Sequence, residues 1–456
     1  MEGRINHLHA EGDLNTTDRR QRWNDGLDEV TRQVLDRDTA GFLHQALSTP
    51  CLDVVTASRG VGFTSLAGKT YVDFHGNSVH QLGYQNPYIV DRVKIQLDQL
   101  AFSPRRFTNL PAIELAERLA SLTDNRLTQV LYAPGGTSAV SMALKLARIA
   151  TGKFKTISMY DSFHGASMDS ISVGGEQVFQ QGLGPLLAGS VHVPPVDGYR
   201  GMWRRSDEPW DAGYADYIEY VMEKEGDVGA LLVETIRSTT VHLPTKTYWQ
   251  RIRQICDKHG ALLILDEIPI AFGRTGSMFA YEHYGIVPDI LLLGKGLGAG
   301  IIPMAAMLCK AALNVAGQVS LGHFTHEKSP LGAAAALAAL DYLAEYDVLS
   351  HVKQMEVHMR DRLLGMQRRY PAIGDVRGIG LLWGIELVSD RQTKTPDPGL
   401  TERVLYRCLE NGLSLKVAGG NVLALYPPLI IRASELDDAL DILDEALAYS
   451  INSPST

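Results

Sequence analysis

Between residues 111 and 322 the chain alternates short, largely apolar runs with longer segments whose apolar positions recur every three or four residues. The runs at 129–132, 156–159, 230–233, 261–265 and 290–293 have the length of strands and lack the strict alternation of a half-exposed sheet. Strands covered on both faces read this way, which predicts a mainly parallel sheet with helices against each side. Between the runs, Val140, Ala143, Leu144 and Ala147 share one face at helical periodicity. The pattern predicts an α/β fold, doubly wound or closely related.

The flanking regions follow other patterns. The first forty residues are polar and charged and predict an arm with one helix. Its Arg19-Arg20-Gln21-Arg22-Trp23 cluster reads as a solvated helix face. Residues 60–73 predict a short meander turning at Gly68-Lys69, followed by an irregular loop over 74–83. After Pro330 an alanine-rich helix is expected over 331–342. A mixed α+β region follows, with a closing helix over 434–450. The expected division is an arm and part of a small domain at 1–70, a large domain at 71–330 and a small domain at 331–456.

Composition narrows the function classes. A chain of 456 residues, 45% hydrophobic and 21% charged, is globular and too long for one core. A net charge of −9 offers no electrostatic footprint for nucleic acid. Cys51, Cys256, Cys309 and Cys408 form no C-x-x-C pair, so no zinc site is expected and a reducing compartment is. No stretch reads as a membrane span or a secretory leader, so the expected location is cytoplasmic.

The chemistry concentrates at strand ends. Ile290-Leu291-Leu292-Leu293-Gly294-Lys295-Gly296 puts a lysine at the mouth of a buried strand, and Leu263-Ile264-Leu265-Asp266 does the same for an acid. A lone lysine after a strand is ordinarily a solvated one. Paired with a strand-end aspartate it suits pyridoxal phosphate (PLP): the amine forms a Schiff base, and the carboxylate keeps the pyridine nitrogen protonated. Ala133-Pro134-Gly135-Gly136-Thr137-Ser138 joins a strand to a helix, where free N–H groups and the helix dipole form a phosphate cup. No P-loop lysine is present. In Ser162-Phe163-His164-Gly165 the aromatic ring can cover one face of a cofactor, and Ile268 the other.

Together these segments resemble the class III, ornithine/ω-amino-acid aminotransferase family of fold-type I PLP enzymes. The likeness runs from about Gly60 to Pro428. It includes Leu265-Asp266-Glu267-Ile268, Phe272-Gly273-Arg274-Thr275-Gly276, Pro288-Asp289, Gly294-Lys295 and Pro427-Pro428. The resemblance implies a large domain with a mostly parallel seven-stranded sheet and a smaller α+β domain. It implies Lys295 as Schiff-base lysine and proton shuttle and Asp266 at the pyridine nitrogen. Gly136 and Thr137 would lie at the phosphate, Phe163 (followed by His164) and Ile268 on the ring, and Glu234 at the position of a gating glutamate. Thr325 would reach a phosphate across a homodimer interface, with a tetramer possible.

The departures from that family concern the substrate. Members that use 2-oxoglutarate hold its carboxylates with two arginines, and Ala166 and Ala424 stand at those positions. Each lost charge-assisted bond costs about 1.5–3 kcal/mol, so glutamate and 2-oxoglutarate are expected to be poor substrates. Arg237, Lys328 and Lys416 remain as candidate cations for a small-molecule amine with an anionic phosphonate group. Glu11-Gly12-Asp13-Leu14-Asn15 and Thr325-His326-Glu327-Lys328-Ser329-Pro330 resemble family members that release ammonia from hydroxylated aminoethylphosphonates. The expected activity is therefore a PLP-dependent ammonia-lyase. A pyruvate-linked aminotransferase is the alternative, because both outcomes share every cofactor residue. A non-catalytic PLP-fold protein is a third reading, opposed by the intact Lys295 and Asp266.

Overall fold

A computed structural model of the chain describes residues 15–203 and 209–452. The chain divides into two compact units. One comprises residues up to 86, 239–241 and 350 onward; the other comprises 87–238 and 242–349.

The second unit is built on a seven-stranded sheet. Its order is Gln129–Ala133, Ala305–Cys309, Ile290–Leu293, Leu262–Asp266, Val228–Glu234, Lys155–Met159 and Ser190–Val193. Only Ala305–Cys309 runs antiparallel to its neighbours. All five expected strands are present, each within two residues of its expected ends. Two were not legible. Ser190–Val193 is a half-buried edge strand, and Ala305–Cys309 opens with two alanines, which have weak strand preference. Tertiary burial decides the second case, since all five of its residues are buried.

Helix Gly136–Thr151 lies against this sheet with Val140, Ala143, Leu144 and Ala147 all buried, as the spacing predicted. It ends at Gly152, whose left-handed φ of 68° lets its N–H bond Arg148 O. Ser329 caps the helix Pro330–Glu345 by accepting from Gly332 N. That alanine-rich helix packs on Pro87–Gln99 and Leu110–Leu122, so it belongs with the sheet-bearing unit. Apart from 239–241, the chain passes from one unit to the other at 86/87 and 349/350.

The first unit contains the expected meander, Val55–Arg59, Gly62–Ser65 and Thr70–Asp73, extended by Leu413–Ser414. A second sheet orders Ile373–Ile379, Leu382–Asp390, Val422–Leu425 and Lys416–Ala418. The closing helix spans Ala433–Asn452. Two helices, Asp18–Gly26 and Glu29–Gly41, replace the single helix expected near the N-terminus; Thr17 and Asp28 cap them.

The basic cluster is not a solvated face. Arg20 is buried and reaches Pro50 O, Arg19 pairs with Glu402 at 3.9 Å, and Trp23 Nε1 donates to Leu52 O. Composition alone hides this, because the long arginine stem covers apolar surface as readily as it reaches water. No helix among the described residues is long and apolar enough to cross a membrane.

Candidate active site

The parallel strands end together on one edge of the sheet, and the candidate residues leave from there. In the strand register Glu234 lies opposite Asp266, and Asp266 opposite Leu292. Lys295 follows three residues beyond Leu292, so the lysine and the aspartate depart from adjacent strands.

Asp266 is almost fully buried, and both carboxylate oxygens are held. Oδ1 accepts from Ile268 N at 3.0 Å, and Oδ2 lies 2.8 Å from His164 Nδ1. His164 is equally buried, and its Nε2 has no hydrogen-bond partner. The next acid, Glu267, is fully buried and turned to other partners. It accepts from Ala280 N, Tyr281 N and Thr235 Oγ1 at 2.7–2.9 Å. Burial raises its pKa to about 7 despite those donors, because desolvation penalises the charged form.

Lys295 is half-buried and opens a short 3-10 turn, Lys295–Gly298, with φ of 41°. A left-handed backbone at a residue with a long side chain costs about 1–3 kcal/mol and collects at functional positions. Gly294 keeps this approach open, because a Cβ there would lie 3.1 Å from Ile268 Cγ2 and press on that side chain.

At the start of helix Gly136–Thr151, Ser138 N and Ala139 N bond Gly135 O. The N–H groups of Gly136 and Thr137 precede this ladder and point outward from the helix start. A Cβ on Gly136 would come within 2.8 Å of Ile268 Cδ1, so Ile268 sits directly over the cup. The Thr137 hydroxyl is committed elsewhere. It accepts from Ser167 N at 3.1 Å and lies 2.7 Å from Ser167 Oγ and 3.0 Å from Ser170 Oγ. Asp169 anchors both serines, accepting from Ser167 Oγ and Ser170 N, and those bonds with one from Ser141 hold its pKa low against burial. Gly165 completes the clamp: its φ is 124°, and a Cβ would strike the Thr137 side chain at 2.5 Å. Sequence reading missed this clamp, although Ser167-Met168-Asp169-Ser170 after the aromatic shelf was its visible sign.

Phe163 is half-buried, with its ring 4.6 Å from that of Phe179. The set meets the demands of PLP on observations of its own. A buried, fixed carboxylate suits the pyridine nitrogen, and unbonded helix-start N–H groups suit a phosphate. An aromatic ring and Ile268 suit a flat ring, with a strand-end amine for the aldehyde.

The other expected residues are placed as follows. Glu234 Oε2 accepts from Ser238 N and Oγ at 2.9 and 3.1 Å. Arg237 Nη1 lies 3.8 Å from Asp161 Oδ2. Thr325 and Lys328 are exposed, and Lys328 O accepts from Asn109 Nδ2. Ala166 is exposed. Lys416 and Ala424 belong to the other unit, where they face each other across two antiparallel strands. Glu11 to Leu14 lies outside the described residues.

Residues 44–447 match the family model for class-III aminotransferases. The chain is 51% identical to the (R)-1-hydroxy-2-aminoethylphosphonate ammonia-lyase of Vibrio splendidus, over 97% of this chain and 95% of that one. It is 31% identical to the leucine/methionine racemase of Thermococcus litoralis, over 91% and 95%. The crystal structure of an amine transaminase from an uncultivated Pseudomonas species, in its PLP-bound form, superposes with a TM-score of 0.85. It is 31% identical, and the match covers 90% of this chain and 98% of that one.

Proposed function

The chain belongs to the class-III aminotransferase family, and from that premise we propose that it is a PLP-dependent ammonia-lyase acting on (R)-1-hydroxy-2-aminoethylphosphonate. The observation that carries this reading is the likeness to the Vibrio ammonia-lyase along nearly the whole of both chains. The products are phosphonoacetaldehyde and ammonia. Loss of water gives an enamine and hydrolysis returns the water, so the net change is release of ammonia with no oxidant and no amino acceptor.

Bound PLP supplies an aldehyde for the substrate amine and a ring that accepts the electron pair left at the amine-bearing carbon. Lys295 Nζ takes the proton from that carbon and delivers one to the departing hydroxyl. The second task is essential, since hydroxide is a poor leaving group when water has a pKa of about 15.7. Asp266, fixed by Ile268 N and His164, holds the ring nitrogen protonated. The N–H groups of Gly136 and Thr137 take the phosphate, and Phe163 and Ile268 bracket the ring. Glu234 lines the site with its carboxylate bound to Ser238. Arg237 and Lys328, both in the sheet-bearing unit, are the candidate cations for the substrate anion.

The working form is a homodimer, to which the exposed Thr325 contributes at the neighbouring subunit's phosphate. All four cysteines are free, and three are buried, as suits a cytoplasmic enzyme. Phosphorus NMR of the reaction tests the assignment. The substrate signal should convert to that of phosphonoacetaldehyde, and an unchanged substrate signal would refute it.

A further inference from the structure

We propose that Arg237 is the anchor for the phosphonate group of the substrate, an inference that rests on the functional reading above. Arg237 follows strand Val228–Glu234, whose last residue lies opposite Asp266. An isolated bridge to His242 pairs its backbone, and the contact of its guanidinium with Asp161, two residues past strand Lys155–Met159, puts the charge beside a strand end of the same sheet.

The charge there is poorly answered by the protein. The side chain is only 16% exposed, and its Nε is buried without a hydrogen-bond partner. Its ion pair with Asp161 spans 3.8 Å, beyond hydrogen-bond range, and Asp161 is 61% exposed. Water therefore screens that pair strongly. The nearer acid in sequence, Glu234, has given Oε2 to Ser238 N and Oγ. A largely buried guanidinium with one long contact is unfavourable until an anion completes it.

The geometry favours an oxyanion beside the cofactor shelf. Asp161 precedes Phe163 by two residues, so the Arg237 guanidinium lies against the segment that carries the aromatic ring. A planar fork with parallel N–H donors matches two oxygens of a tetrahedral phosphonate. Lys328, in contrast, is an exposed point charge. One buried fork suits a substrate with a single anionic end, whereas a dicarboxylate requires two.

The test uses the PLP-loaded enzyme and two ligands, the aminophosphonate substrate and methylphosphonate as an unreactive probe. Methylphosphonate should perturb the absorption band of bound PLP in the wild type. Arg237→Gln should weaken that response about tenfold to a hundredfold, with PLP content unchanged. The same variant should raise KM for the substrate by a similar factor while kcat changes little. Arg237→Lys, which keeps the charge and loses the fork, should fall between and guards against a misfolded glutamine variant. Probe affinity within twofold of wild type in both variants, or no probe response in the wild type, overturns the proposal. The probe arm does not depend on turnover. A wild type that binds methylphosphonate through Arg237 but releases no ammonia would refute the functional reading alone.

Discussion

His164 Nδ1 lies 2.8 Å from Asp266 Oδ2, and the other ring nitrogen of His164 has no hydrogen-bond partner. Both side chains are buried, so the histidine fixes the orientation of the acid without help from water. Removing such a bond costs about 1–3 kcal/mol, which is roughly tenfold to a hundredfold in rate if it acts on the transition state. His164→Asn should therefore lower kcat by that factor while PLP remains bound. Asp266→Asn should lower it further. A deuterium isotope effect at the amine-bearing carbon that increases in both variants would locate the loss at proton removal.

The proposed function assigns to Lys295 the covalent hold on the cofactor. Borohydride treatment of the holoenzyme should fix PLP on the peptide containing Lys295, read as a mass increase. Lys295→Ala should bind PLP only weakly and lose turnover by several orders of magnitude. Label on another lysine would contradict the assignment.

The Thr137 clamp predicts an effect on cofactor affinity rather than on chemistry. Ser170→Ala removes a hydroxyl 3.0 Å from Thr137 Oγ1 that also donates to Thr137 O. Each neutral hydrogen bond contributes about 0.5–1.5 kcal/mol, so the Kd for PLP should rise by about twofold to tenfold for each bond lost. At saturating PLP, kcat should be unchanged. Equilibrium dialysis of the apoenzyme measures the first quantity and a steady-state assay the second.

Glu267 predicts a stability difference with a defined sign. Its folded pKa is about 7, above its ordinary value of 4.5, because the charged form is desolvated. Between those values the folded chain binds more protons than the unfolded one, so this group's contribution is greatest below pH 4.5 and declines as pH rises to about 7. The full loss is about 3 kcal/mol. Denaturant titrations from pH 5 to 7.5 should show wild type losing stability relative to Glu267→Gln. Parallel curves would contradict the shift.

The places of Asp266, Lys295, Gly136 and Phe163 at or just past strand ends were legible because an apolar run stops before each, and a strand end is where chemistry can leave a buried sheet. The antiparallel Ala305–Cys309 was not legible, since its opening alanines resemble helix and its placement depends on strands far away in sequence. The clamp on Thr137 escaped for a related reason. Ser167 and Ser170 acquire meaning only when Gly165 brings their loop against the helix start. Arg20 was misread because charge in a sequence does not reveal what its stem covers.

The most direct measurement is ammonia released per active site from (R)-1-hydroxy-2-aminoethylphosphonate, with purified holoenzyme and no keto acid. The account predicts many turnovers, no accumulation of pyridoxamine phosphate, and no stimulation by pyruvate, glutamate or 2-oxoglutarate. A halt after one equivalent, with pyridoxamine phosphate formed and turnover resuming on added pyruvate, would contradict it and identify an aminotransferase.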